Sequence, residues 1–173
     1  NGFAMHAAAA RPLVHIGAVR RLNELSPAEA YNLWPHSEPT GLMRVAMRMR
    51  LPVPVVLVSV NHAHNIAGWA ALFPWSQPGF PDVAFLGCYT SKHWRGSGFA
   101  SAAVQAILAA EQPATICTQP QYADTRGGAQ RMAHFAKVHG YTRTWMSRTY
   151  STGFADFYGD VWLRLDAPAA EVV

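Results

Sequence analysis

The residues best equipped for chemistry fall in one stretch, Thr90-Ser91-Lys92-His93-Trp94-Arg95-Gly96-Ser97-Gly98-Phe99-Ala100. Their types point to anion binding. Gly96 and Gly98 let the backbone approach a ligand closely, and Arg95 with Lys92 supplies full positive charge. Such a loop is most effective in front of a helix. The first N–H groups of a helix have no partner within it, and the helix dipole adds partial positive charge at that end. The flanks meet this need. Val83-Ala84-Phe85-Leu86-Gly87-Cys88-Tyr89 reads as a buried strand, and Ser101 to Ala110 reads as an alanine-rich helix. A strand, a glycine loop and a helix N-terminus predict a site for a phosphate-bearing cofactor, with Cys88, Tyr89, Thr90, Arg95, Gly96, Ser97, Gly98, Phe99 and Ala100 around it. Two other phosphate loops are excluded by spacing. The dinucleotide fingerprint requires a third glycine where Ser101 stands, and the Gly-Lys-Ser/Thr of the P-loop is absent. The plain alternative is a turn that uses glycine for geometry alone.

The elements that must position this loop can be read in order. Leu13 to Val19 alternates as a first strand. Ser26-Pro27-Ala28-Glu29 is a helix start with a capping box, and that helix should stop near Pro35. A second helix is expected from about Thr40 to Leu51, with Arg44 and Arg48 sharing a face and Arg50 near its end. These arginines are either solvated or a basic rim over a substrate entrance. Val55 to Val60 and Ile66 to Phe73 form a hairpin across Asn61-His62-Ala63-His64-Asn65. Two turn histidines without a third ligand do not make a metal site. A loop from Pro74 to Pro81 carries Trp75 and Phe80. Beyond the cofactor helix, Ala114 to Thr118 is a short strand, Gln119 to Gly128 a polar loop, and Ala129 to His139 a helix stopped by Gly140. Strands from Tyr141 to Arg148 and from Asp160 to Leu165 close the chain.

Within the loop, Arg95, Gly98 and Ala100 fit Arg-x-x-Gly-x-Ala. This resembles the acetyl-CoA motif of the GCN5-related N-acetyltransferase superfamily, in which loop amides hold the CoA pyrophosphate. Phe135-Ala136-Lys137-Val138-His139-Gly140-Tyr141 is similar to a second segment of that family, where a helix ends in Gly-Phe. The resemblance covers roughly residues 53 to 149. It implies an α/β (α+β) fold with a central, mixed, mostly antiparallel sheet flanked by helices, and acyl transfer from acetyl-CoA to an amine. It also exposes two departures. The tyrosine that often acts as general acid falls at Ala136, and a frequent asparagine falls at about Ala129.

Acyl transfer needs a neutral amine, a donor to polarise the carbonyl and a proton for the leaving thiolate. A backbone N–H around Cys88 to Thr90 can polarise the carbonyl whatever the side chains. For the acid the chain offers Tyr122, Tyr141, Tyr150, Tyr158, His134 and His139, and for the base Asp124, Asp82 or a histidine acting through water. Asp124 and Tyr122 share a polar loop beside the expected cleft. Arg44, Arg48 and Trp75 are the candidate substrate-binding residues. A second resemblance is to phage DNA-modifying enzymes of acetyltransferase-like fold that alter adenine bases. It rests on Tyr122-Ala123-Asp124, the glycines that follow, and Gly140-Tyr141. A non-catalytic CoA-binding module is a third reading, prompted by Ala136.

Composition bounds these readings. Half of the 173 residues are apolar and 14% are charged, which suits one folded domain. Residues 13–166 are expected to form it, with 1–12 a flexible leading segment and 167–173 a tail. The net charge of +4 suits an anionic cofactor or nucleic acid without choosing between them. Cys88 and Cys117 lie in apolar runs and are expected to be buried, reduced thiols. No apolar run reaches the ~18–20 residues needed to span a bilayer, and the first ten residues lack the basic region of a signal peptide. A cytoplasmic protein with no membrane contact is the default expectation. Trp34, Trp145 and Trp162 are read as core or as the surface of a homodimer.

Overall fold

The computed structural model describes residues 11–37, 41–76, 79–80, 82–118, 134–151 and 156–164. Its strands are β1 (Val14–Ile16), β2 (Arg20–Arg21), β3 (Pro54–Val60), β4 (Ile66–Pro74), β5 (Val83–Thr90), β6 (Thr115–Thr118), β7 (Tyr141–Ser151) and β8 (Asp156–Arg164). They form one sheet in the order β1-β3-β4-β5-β6-β8-β7, with β2 also beside β3. Every pairing is antiparallel except β5 with β6. The helices are α1 (Pro27–Leu33), α2 (Leu42–Arg48) and α3 (Phe99–Glu111), and residues 134–138 are also helical.

The β-branched, alternating sequence of the central strands gives each sheet face its own core. Val56, Val58 and Val60 of β3 turn toward α3, where Phe99, Ala103, Val104, Ile107 and Leu108 pack on them with Leu86, Ile116 and Trp162. Val55, Trp69, Phe73 and Phe85 turn the other way, onto Leu33 of α1 and Met43 and Ala46 of α2. A bulge interrupts this alternation. Val58 pairs with Gly68 and Ser59 with Ile66, so Ala67 is the extra residue. Its methyl joins the α3 core while Ile66 and Trp69 on either side both join the other. The bulge also brings Gly68 so close to β5 that a Cβ there would lie 2.6 Å from the Tyr89 carbonyl oxygen. Only glycine fits.

The capping box is present as the sequence indicates. The Glu29 N–H donates to Ser26 Oγ at 3.2 Å, and the Ser26 N–H donates back to Glu29 Oε1 at 3.1 Å. Arg20, from the short strand β2 that the sequence does not announce, clamps the same carboxylate with both guanidinium arms. The Arg20 hydrogen bonds hold the Glu29 carboxyl down to about 2, helped by Ser26 and opposed by partial burial. The folded-state value therefore lies below the ordinary 4.5, so this stabilisation is complete above about pH 4.5 and is lost as the pH falls toward about 2. We expect the thermal midpoint to fall through that window, and Glu29→Gln to flatten the fall. An unchanged acid slope in the variant would count against the linkage.

Several boundaries move relative to the sequence expectation. The first strand shortens to three residues because Gly17 donates sideways to Leu57 and the chain turns into β2. The second helix covers only Leu42–Arg48, since Arg50 takes a positive φ of 51° and ends it before Pro52. The last two strands run longer than expected, pairing from Tyr141↔Arg164 to Ser151↔Asp156. Residues 1–10, the polar loop 119–128, Ala129 and the tail 167–173 lie outside the described residues. Trp162 is core, 1% exposed, and its indole N–H donates to Thr118. Cys88 and Cys117 are not joined in a disulfide.

Candidate active site

The loop after β5 is built to start a helix with its amides bare. Lys92–Trp94 makes one tight helical turn, and Arg95 returns to extended backbone. Trp94 and Phe99 then anchor the loop in the α3 core, their rings 5.8 Å apart. Gly96 and Gly98 adopt φ of 82° and 81°, in the left-handed region that L side chains avoid. Gly98 is the N-cap, without a side-chain cap, and the first turn carries no acidic residue. The first intrahelical bond runs from the Ala102 N–H to the Gly98 carbonyl at 3.0 Å. The N–H groups of Phe99, Ala100 and Ser101 therefore precede the ladder of a 13-residue helix. A Cβ placed on Gly96 or Gly98 would meet no protein atom within 4 Å. The glycines serve open space in front of the helix, and Lys92 and Arg95 stand exposed beside it. These features fit a phosphate group.

The strand feeding the loop presents a second set of donors. Ser91 donates to the Ala67 carbonyl at 2.7 Å, and the β4–β5 register runs unbroken from Gly68↔Thr90 to Pro74↔Ala84. Alternation then directs the N–H groups of Leu86, Cys88 and Thr90 to the opposite edge, toward β6. The registered β5–β6 pairs end at Phe85↔Cys117, so β5 runs on for five residues past them. Arg95 Nε folds back onto the Thr90 carbonyl at 3.3 Å, on that same edge.

On the α1/α2 face, the Tyr89 ring lies 6.3 Å from Trp69 and 5.7 Å from His36. His36 ends the tight turn Trp34–His36 after α1, and its carbonyl accepts the Trp69 indole N–H at 2.8 Å. Its Nδ1 is buried without a hydrogen-bond partner among the described residues, and burial lowers its pKa, which favours the neutral imidazole. A cavity of about 720 Å³ opens beside it, walled by α1, the Trp34–His36 turn, the end of α2 and the β3–β4 turn. Tyr31, Trp34, His36, Arg48, His64 and Asn65 are among its lining residues.

The predicted cofactor residues, Cys88 to Thr90 and Arg95 to Ala100, thus come together at one end of the sheet. Arg44 and Arg48 both lie over the Trp34 ring, at 5.1 and 5.4 Å, and Arg44 Nε donates to buried Ser37 at 3.1 Å. Trp75 is not brought to them. It packs on Phe85 at 5.0 Å, near the start of β5. Tyr141 is also remote: it is 3% exposed, its hydroxyl donates to the Pro113 carbonyl, and its strand position is level with the start of β5. Seven residues of strand separate that level from Thr90, about 23 Å. Asp82 sits there too, accepting from Ala114 at 3.1 Å to tie the starts of β5 and β6. His134 is exposed at the start of the helical residues 134–138, and Ala136 is 1% exposed in the α3 core. Tyr150 and Tyr158 lie in β7 and β8. Tyr122 and Asp124 lie outside the described residues. Trp34, His36 and His64 line this cavity and were not singled out as site candidates by the sequence reading; Trp34-Pro35-His36, an aromatic and a histidine flanking a helix-stopping proline, was the available signal.

A mostly antiparallel sheet with a single parallel junction, and an uncapped helix start after the strand at that junction, is the framework of the site. Residues 19–141 match the sequence profile of the acetyltransferase (GNAT) family, and the chain belongs to that family. Its enzymes use acetyl-CoA. The fold is shared with the ribosomal-protein-S18-alanine N-acetyltransferase of Escherichia coli, at a TM-score of 0.56 and 10% identity over 93% of this chain and 99% of that one. It is shared also with AAC(6')-Ib in complex with paromomycin and acetyl-CoA, at 0.50 and 14% identity over 86% and 93% of the two chains. A third similar structure is a spermidine N-acetyltransferase chimera from Vibrio cholerae and hSSAT, at 0.50 and 10% identity over 87% and 95%. No curated protein sequence matches the chain.

Proposed function

We propose that the chain transfers the acetyl group of acetyl-CoA to an amine presented from the cavity beside His36. The uncapped N-terminus of α3, with open space in front of Gly96 and Gly98, carries this reading. Phe99, Ala100 and Ser101 would hold the CoA pyrophosphate through their N–H groups, with Arg95 and Lys92 adding charge. Acetyl-CoA supplies a thioester whose acyl carbon bonds to the amine nitrogen as the carbon–sulfur bond breaks and the thiolate leaves with a proton. The β5 edge at Cys88 and Thr90 offers the N–H that polarises the acyl carbonyl. Neutral His36 is placed to take the ammonium proton, a role for which Asp124 is the alternative. Tyr122 is the proposed acid, with His134 as its alternative. Much of the rate would come from holding amine and thioester together.

The test is calorimetric titration with acetyl-CoA, where binding on the order of micromolar is expected. Arg95→Glu should weaken it about 10-fold, because one charge-assisted contact becomes repulsive. Absence of binding by the wild-type chain, or an unaffected Arg95→Glu variant, would remove the anion-cradle reading. Thiol release in the presence of amines separates an enzyme from an inert CoA-binding module. A second reading, a base on nucleic acid as acceptor, is supported by the two arginines on Trp34 and the net charge of +4. It requires retention on DNA that falls steeply with salt. Among the described residues no helix is long and apolar enough to cross a membrane. We place the protein in the cytoplasm on the strength of its two thiols.

A further inference from the structure

Resting on the reading that the cavity beside His36 receives the acceptor, we propose that the acceptor is a small amine that also carries an anionic group, a carboxylate or a phosphate. None of the described residues lining this cavity is Asp or Glu. The described carboxylate nearest it in sequence, Glu29, is committed to Arg20 and to the N-cap of α1. A polycation entering here would leave water and meet an arginine with no compensating carboxylate among the described lining residues.

The donors, by contrast, point to an anion. Arg48 lies over the Trp34 ring and has no hydrogen-bond acceptor or carboxylate partner among the described residues. An indole face orients a guanidinium while leaving the N–H groups at its edge available, and that edge matches a carboxylate or phosphate. His64 adds a second donor. The Asn32 amide nitrogen donates to the Ala28 carbonyl at 2.9 Å, which fixes which end of the amide carries hydrogen. That nitrogen also lies 3.2 Å from His64 Nδ1, so Nδ1 accepts and the neutral ring carries its proton on Nε2. The cavity therefore offers one permanent cation, a histidine N–H, and the aromatic walls of Tyr31 and Trp34. Its volume of about 720 Å³ is that of a small-molecule site.

The experiment measures thiol release by the full-length chain at saturating acetyl-CoA, using amines paired to differ only in the anion. Phosphoethanolamine is compared with ethanolamine, and phenylalanine with phenylalanine amide; spermidine and a short DNA duplex complete the set. The anionic member of at least one pair should show kcat/KM about 10- to 100-fold above its partner, the range of one charge-assisted contact, and which pair responds tells phosphate from carboxylate. Arg48→Ala should bring that ratio toward 1, and Arg48→Lys should restore part of it. Preference for spermidine, for the uncharged members or for the duplex overturns the proposal, as does a ratio indifferent to Arg48. If no amine is turned over, calorimetry of phosphoethanolamine and phenylalanine in the presence of CoA decides. Binding to the wild-type chain that is lost in Arg48→Ala supports the proposal, and equal or absent binding overturns it. A chain that fails to bind acetyl-CoA at all fails instead on the proposed function.

Discussion

Gly98→Val should raise the acetyl-CoA dissociation constant about 100-fold while leaving the protein folded. Two effects coincide at this residue. Its φ of 81° lies in a region that costs an L residue about 1–2 kcal/mol, more for a β-branched one. A side chain there would clash with no protein atom, so the chain can absorb the strain and fold. The new side chain would stand at the N-cap of α3, next to the residues whose N–H groups precede the helix ladder. Its methyl groups would hold the pyrophosphate beyond hydrogen-bond reach of several N–H groups at once. Losing two charge-assisted bonds of about 1.5 kcal/mol each corresponds to roughly 100-fold in affinity. The comparison that matters is calorimetric affinity against the thermal midpoint. A large fall in the midpoint with intact affinity would mean that Gly98 serves the turn alone.

Trp69→Ala should be the most destabilising single change among the described residues, at about 4 kcal/mol by urea titration. The indole is wholly buried, makes an edge contact with Phe73 and stacks near Tyr89. Truncating such a ring costs about 3–5 kcal/mol in lost contacts and cavity, a large share of a typical domain's stability of about 5–15 kcal/mol. Trp69→Phe is the more informative companion. It keeps most of the ring but removes the hydrogen bond to the His36 carbonyl, for about 1–2 kcal/mol. Releasing that carbonyl loosens the Trp34–His36 turn, so KM for the amine should rise while acetyl-CoA affinity stays constant. A change in acetyl-CoA affinity instead would mean that the two faces of the sheet are not separable.

The strand, glycine loop and helix start of the proposed cofactor side could be read before the structure because their pattern is local. Arg95-Gly96-Ser97-Gly98 is one run, and the helix it introduces begins in the next residue. The capping box at Ser26 and Glu29 was readable for the same reason. The acceptor side was not. Its cavity joins Tyr31 and Trp34 to Arg48 of another helix and His64 of a hairpin turn, and no spacing rule links them. Trp75 looked like a binding aromatic because its loop precedes β5, yet that loop enters the strand at the end away from the helix. Tyr141 is kept from the loop for a similar topological reason: β7 begins at the far end of the sheet, where its hydroxyl donates to the carbonyl of Pro113. The bulge at Ala67 was equally hidden, since its cause is the register of two strands rather than any residue type.

The sheet keeps its two cores apart, with α3 on one face and α1 and α2 on the other. Changes to Trp34, His36 or Arg48 therefore reach the α3 side only through the strands of the sheet, and substitutions on opposite faces should combine nearly additively. A lineage built this way can exchange one acceptor for another by drift on a single face, while the machinery that holds the acyl donor is inherited intact.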